Sequence, residues 1–179
     1  MIYLGAGHHN YDPGAAANGY QENKLTIELR DMIASEIKRL YPGSELSLDD
    51  DSETLSQYLN RINTNDSDVV LEIHFDAFNG KAKGSTALIS DNHNQISKDM
   101  ARELVDYTSS ILGTLNRGVK TESESARGKL GLTRKPGSTV LMEIEFIDNI
   151  DAMNGYHEQK HLLATKYAEI LVKYDNLKD

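Results

Sequence analysis

Two stretches constrain the fold of this 179-residue chain more than any others: "DVVLEIHF" at residues 68–75 and "TVLMEIEF" at residues 139–146. Each is an almost continuous apolar run of strand length. A strand can be apolar on both faces only where other layers cover both. Around these runs the spacing of apolar residues switches to the helical period. In "ENKLTIELRDMIASEIKRLYPG" the residues Leu25, Leu29, Met32, Ile33, Ile37 and Leu40 follow it, and Pro42 with Gly43 stops the helix. "MIYL" and "GSTALIS" read as further strands and "SELSL" as extended chain. "SETLSQYLNRINTN" reads as a second helix, with Leu55, Leu59 and Ile62 inward and Ser52 as its N-cap. "QISKDMARELVDYTSSILGTL" is a long amphipathic helix and "HLLATKYAEILVKY" a closing one. Between them, "NRGVKTESESARGKLGLTRKPGS" has no clear period and reads as a surface loop bordering a site. Strands alternating with helices imply an α/β fold, a three-layer sandwich on a mostly parallel twisted sheet flanked by helices, in a single domain over 1–179.

Composition narrows the function. A net charge of −9 argues against nucleic acid as a partner, because binding its phosphates needs Lys and Arg. No apolar run approaches the ~20 residues that span a bilayer, so membrane insertion is not expected. With no cysteine, any zinc must be held by histidines and carboxylates. The start of the chain has no basic segment ahead of an apolar stretch, so a cytoplasmic location is expected. A monomer is expected as well.

In sheets of this kind, ligands gather at the carboxyl ends of the strands. Four polar residues fall there: His8 after the first strand, Glu22 at the first helix start, His74 in "VVLEIH" and Glu143 in "VLMEIEF". Two histidines and one carboxylate make a common catalytic zinc set, and a fourth group is then free to act as base.

The surroundings of these four residues resemble the zinc-dependent N-acetylmuramoyl-L-alanine amidases, which cut peptidoglycan between glycan and stem peptide. The likeness is carried by "AGHHNYDPGA", "NGYQE", "EIHFDAFNGKAKGS" and "VLMEIEFIDN" in that order, across residues 2 to about 151. It implies one zinc per chain on His8, Glu22 and His74, Glu143 as the catalytic acid and base, and peptidoglycan as the partner. It also implies a phage endolysin, held in the host cytoplasm until it is released to the wall. The chain departs from the family pattern at Gly5, His9 and Asp76, and it has Glu145 where a small or apolar residue is usual.

Several residues carry a second expectation. Glu72, two before His74 on the strand, shares its face and is a candidate to orient a ligand. Glu145 is expected to pair with Arg134 or Arg61, His9 to be a loop residue near the metal, and Asp12-Pro13-Gly14 to be turn chemistry. Arg134 and Lys135 are either groove residues that meet stem-peptide carboxylates or a solvated loop. A rival motif, "HEQKH" with His157, Glu158 and His161, matches the helical zinc signature of zincin proteases. Against that reading, only 18 residues follow His161, the intervening Gln159 and Lys160 are polar, and Leu163, Tyr167, Ile170 and Tyr174 set a different inward face. A non-catalytic wall-binding module is the third alternative, and it would lack a zinc ligand or the catalytic glutamate.

Overall fold

A computed structural model describes residues 1–177 apart from 126, 127 and 129, which lie within the irregular stretch. The elements run β1 (Ile2–Ala6), β2 (Ala16–Ala17), β3 (Tyr20–Gln21), α1 (Glu22–Leu40), β4 (Leu46–Leu48), α2 (Leu55–Arg61), β5 (Val69–Asp76) and β6 (Ser85–Ile89). Then follow α3 (Gln95–Leu112), β7 (Asn116–Thr121), β8 (Ser138–Phe146) and α4 (Ile150–Asp175), with short 3₁₀ turns at Glu122–Glu124 and Leu132–Arg134. Six strands form one sheet in the order β4-β1-β5-β8-β6-β7. The first four are mutually parallel, while β6 runs antiparallel to β8 and carries β7 parallel to itself. The α/β sandwich read from the sequence is therefore present, with a mixed edge.

The apolar runs are covered on both faces, but unequally. Ile73, Phe75, Met142 and Ile144 pack into the main core with Leu29 and Ile33 of α1, Met100 and Leu104 of α3, and Tyr156 and Tyr167 of α4. Fully burying each such side chain stabilises the fold by about 1.5–3 kcal/mol relative to leaving it exposed. On the other face a much smaller cluster joins Tyr3 and Val70 to Tyr58, Ile62 and Leu132. A seven-residue helix is the main cover there. Period-two alternation puts Glu72 and His74 on this thinly covered face, and Glu143 lies opposite His74 across the β5–β8 ladder. That arrangement leaves a cleft. No helix among the described residues is long and apolar enough to cross a membrane.

Three local readings change. "NRGVKT" is strand β7, because it pairs with β6 at the sheet edge, where half-exposed polar residues suffice and no apolar signal is needed. Of the inward residues expected for α2, Ile62 is buried and Leu59 packs against its cluster, but Leu55 is 45% exposed and the buried side chain of the helix is Tyr58. The cap of α2 is Thr54 in place of Ser52. Its hydroxyl accepts from Gln57 N, and the Gln57 side chain accepts from Thr54 N in return. Ser52 instead donates to Asp50. We expect Thr54→Ala to lower unfolding free energy in urea by about 1 kcal/mol, and Ser52→Ala to leave the urea midpoint nearly unchanged.

Candidate active site

The loop after β1 is shaped by its contacts with α1. The first N–H groups of that helix have no side-chain cap, and carbonyls of the loop satisfy them instead: Glu22 N donates to Ala15 O and Asn23 N to Pro13 O. Asn23 Nδ2 donates to His9 O, and buried Thr26 Oγ1 donates to Gly7 O. Held this way, His8 sits at φ 68°, a left-handed conformation that costs a non-glycine residue about 1–3 kcal/mol and is typical of functional sites.

Glu22 joins three parts of the chain. Its Oε2 accepts from Ala15 N and lies 3.1 Å from His8 Nε2. Its Oε1 lies 3.0 Å from His74 Nδ1 and accepts from Phe75 N. Among the described residues, His8, Glu22 and His74 form the cluster of histidine and carboxylate side chains whose ligand atoms all lie within 4.8 Å of one another. His8 Nε2 is buried and makes no well-formed hydrogen bond despite its closeness to Glu22. An atom so placed is arranged for a ligand other than a proton acceptor.

Each histidine has a second carboxylate on its far nitrogen. Asp12 Oδ2 is 2.8 Å from His8 Nδ1, and Glu72 Oε2 is 3.7 Å from His74 Nε2. The bond to Asp12 is the arrangement by which outer carboxylates fix the ring orientation of metal-binding imidazoles, and Glu72 stands near His74 without a hydrogen bond. Asp12 therefore does more than make the turn, although its Oδ1 also accepts from Gly14 N. Two glycines complete the cradle. A Cβ on Gly7 would come 2.4 Å from the His74 ring, and one on Gly14 would come 2.5 Å from His8 and 2.6 Å from Glu22. Two imidazole nitrogens and one carboxylate in so tight a space fit a zinc ion.

Glu143 is buried on β8, opposite His74 on β5 and Thr86 on β6. Glu145 is fully buried too, but in a different role. A bulge gives β8 one extra residue between the partners of His74 and Asp76, and this breaks the two-residue alternation. Glu145 Oε1 accepts from Gly84 N at 2.6 Å and Phe146 N at 2.9 Å, so it anchors the start of β6. It pairs with neither arginine: Arg134 holds Glu122, and Arg61 holds Glu53. Lys135 Nζ caps the end of α2 through Leu59 O and Ile62 O, so it is neither a groove residue nor simply solvated. His9 is half-buried at the cleft mouth, where its Nδ1 accepts from Tyr11 N. His157 packs between Tyr20 and Tyr156 on α4, and His161 is exposed. The "HEQKH" residues form no cluster of ligand atoms among the described residues.

Beside His8 and His74 lies a cleft of about 390 Å³, lined also by Asp49, Ser56, Tyr58, Glu72 and Leu141. Tyr58 was not singled out by the sequence, and no motif flags it.

The charges favour a cation at the centre. Burial alone would lower the His74 pKa, but the Glu22 and Glu72 carboxylates outweigh it and push the value up to about 10. His8 is raised in the same way, with Glu22 and Asp12 overcoming its burial. Burial would raise the Glu22 pKa, yet the hydrogen bonds from His74 and Ala15 N and the adjacent His8 ring hold it far below the usual carboxylate range.

Known proteins are similar to this chain in sequence and in fold. The N-acetylmuramoyl-L-alanine amidase profile, Amidase_3, matches residues 2–173, and the chain belongs to that family. It is 26% identical over 151 residues to N-acetylmuramoyl-L-alanine amidase LytC of Bacillus subtilis (strain 168), covering 83% of this chain and 29% of LytC. It is 26% identical over 183 residues to the endolysin of Bacillus phage SPP1, covering 99% of this chain and 67% of that protein. The catalytic domain of CwlV, an N-acetylmuramoyl-L-alanine amidase from Bacillus (Paenibacillus) polymyxa var. colistinus, superposes with a TM-score of 0.79 at 20% identity, covering 99% and 98% of the two chains.

A pH prediction follows for metal-free protein. Because the folded His74 pKa of about 10 lies above the ordinary 6.5, the bound proton stabilises the fold fully below about pH 6.5. That contribution is lost as pH rises through about 10. Melting temperatures of chelator-treated protein from neutral to alkaline pH should therefore fall more steeply for wild type than for His74→Gln. Equal slopes would show that the site does not hold that proton.

Proposed function

We propose that the chain is a zinc-dependent hydrolase of the amide bond between N-acetylmuramic acid and L-alanine in bacterial peptidoglycan. One zinc per chain would sit on His8, Glu22 and His74. The observation that carries this reading is the convergence of His8 Nε2, Glu22 and His74 Nδ1 at the strand ends, with Glu143 opposite His74, in a chain of this family.

When bound, zinc supplies a Lewis acid that polarises a carbonyl and lowers the pKa of water toward ~7. The residues of the chain do the rest. The hydrogen bond between Asp12 and His8 Nδ1, and the Glu72 carboxylate 3.7 Å from His74 Nε2, favour the ring orientations in which Nε2 of His8 and Nδ1 of His74 both face Glu22. Gly7 and Gly14 allow the loop to close against the rings without a side chain intervening. Glu143 takes a proton from the attacking water and returns it to the nitrogen of L-alanine as the C–N bond breaks. The amine then leaves neutral, since an unprotonated amide nitrogen is a poor leaving group. Burial suits Glu143 for this work because it keeps bulk water from competing for the proton.

The likeness to the SPP1 endolysin across nearly the whole chain supports a further reading, that this is the catalytic unit of a phage lysis enzyme acting after release from the host cytoplasm. Cells expressing it should stay intact until their membrane is permeabilised. Lysis without permeabilisation would count against that role.

Four sets of variants and one product analysis test the enzyme itself. Glu143→Gln should keep zinc and fold but lose about 10²–10⁴ in rate. Glu145→Gln should retain most of the rate and lose melting temperature, and the opposite pattern would exchange their roles. Asp12→Asn should weaken zinc binding by about 10–100-fold in a chelator competition, with little change in stability because its side chain is half exposed. His157→Ala with His161→Ala should stay active and metal-loaded; loss of zinc with the fold intact would favour the protease reading. For the wild type, digested peptidoglycan should expose new amino termini of L-alanine.

A further inference from the structure

The cleft beside the histidines has a polar floor that catalysis by Glu143 and the metal set leaves unused. Gly5 of β1 has Glu72 as its register partner on β5, and Asp49 extends β4 past Leu48, the partner of Leu4. The tip of Tyr58 covers Gly5, so that a Cβ there would meet Tyr58 Cε1 at 3.2 Å and Oη at 3.7 Å. Tyr58 lines the cleft together with Glu72, whose side chain is 8% exposed, and Asp49, 7% exposed and paired with Arg30 at 2.8 Å. Tyr58 is 3% exposed, yet its Oη has no hydrogen-bond partner among the described residues. Leaving a buried hydroxyl unpaired costs about 1–3 kcal/mol, so a native fold retains one mainly where something else pairs with it. The ring is also held rigidly. Arg61 lies 5.3 Å over it and is itself fixed by Glu53 and Leu48 O.

We propose that this cleft is the sugar subsite of the enzyme, holding the muramoyl ring through its N–H and O–H donors, with Tyr58 as a specificity-determining residue. The inference rests on the amidase reading above. Position supports it, because the muramoyl ring joins the scissile carbonyl through one carbon and one ether oxygen, and Glu72 lies 3.7 Å from His74. Chemistry supports it as well. Carboxylates and hydroxyls accept from sugar donors, Leu55 and Leu141 offer apolar walls to the ring, and a cleft of about 390 Å³ accommodates an N-acetylhexosamine. The stem peptide carries carboxylates, which the Glu72 carboxylate repels, whereas Asp49 is neutralised by Arg30. Exposed Lys81 and Lys83 after β5 and Arg117 at the start of β7 lie outside this cleft and offer cations to those carboxylates.

Tyr58→Phe is the decisive variant, because removing an unpaired buried hydroxyl from a merely structural tyrosine leaves stability equal or improved and kinetics unchanged. We expect its melting temperature to be equal or higher. Its KM for a disaccharide dipeptide substrate should rise about tenfold, with kcat within about twofold. In titrations followed by NMR, N,N′-diacetylchitobiose should bind the variant about tenfold more weakly than wild type, and the tripeptide L-alanyl-D-isoglutaminyl-L-lysine should bind both equally. Unchanged chitobiose affinity, or weakening of the tripeptide in its place, would overturn the proposal. Binding of the de-N-acetylated disaccharide alone would overturn it in favour of an ammonium pocket. If the wild type released no L-alanine amino terminus from peptidoglycan, the amidase reading would fail separately, whatever the outcome of the binding titrations.

Discussion

The Glu22 carboxylate is the contact on which the site depends. It lies at the start of α1, where the helix N-terminus favours negative charge, and it binds the loop after β1 through Ala15 N and the end of β5 through Phe75 N. Two imidazoles face it from these same segments. Removing that one carboxylate would leave a strained His8, the buried Phe75 N–H, the half-buried Ala15 N–H and a buried His74 without their principal partner. The left-handed turn at His8 and the close approach of Gly7 and Gly14 are consequences of bringing three segments onto one group.

The second constraint is the uneven cover of the sheet. Three long helices bury one face, which supplies most of the apolar core. The other face carries a short helix and a small cluster, and it is there that β5 and β8 place charged residues in register. A thicker layer would bury Glu72, His74 and Glu143 with no access for a ligand. The capping box of α2 and the Arg61–Glu53 pair keep this thin layer ordered, and Tyr58 is the side chain they hold over the cleft floor.

Much of this was legible in the sequence. The apolar runs of β5 and β8 and the helical periods of α1 and α3 follow from burial, which pattern reports directly. His8, Glu22, His74 and Glu143 were legible because strand ends and ordered motifs point to them, and the first three do converge. What could not be read depends on contacts between distant segments. β7 is an edge strand with little apolar content. The bulge that separates Glu143 from Glu145 exists only in the pairing of β5 with β8. Asp12 looked like turn chemistry because its bond to His8 depends on the backbone of His8 turning left-handed. Tyr58 stands in no motif at all; its place over Gly5 at the cleft depends on the packing of α2 against β1.

The central claim is that one zinc ion sits among His8, Glu22 and His74. Diffraction data collected at the zinc absorption edge from crystals of the purified protein test it directly. The account predicts a single strong anomalous peak per chain, within bonding distance of His8 Nε2, a Glu22 oxygen and His74 Nδ1. A peak at His157 and His161, or none at this cluster in active protein, would contradict it.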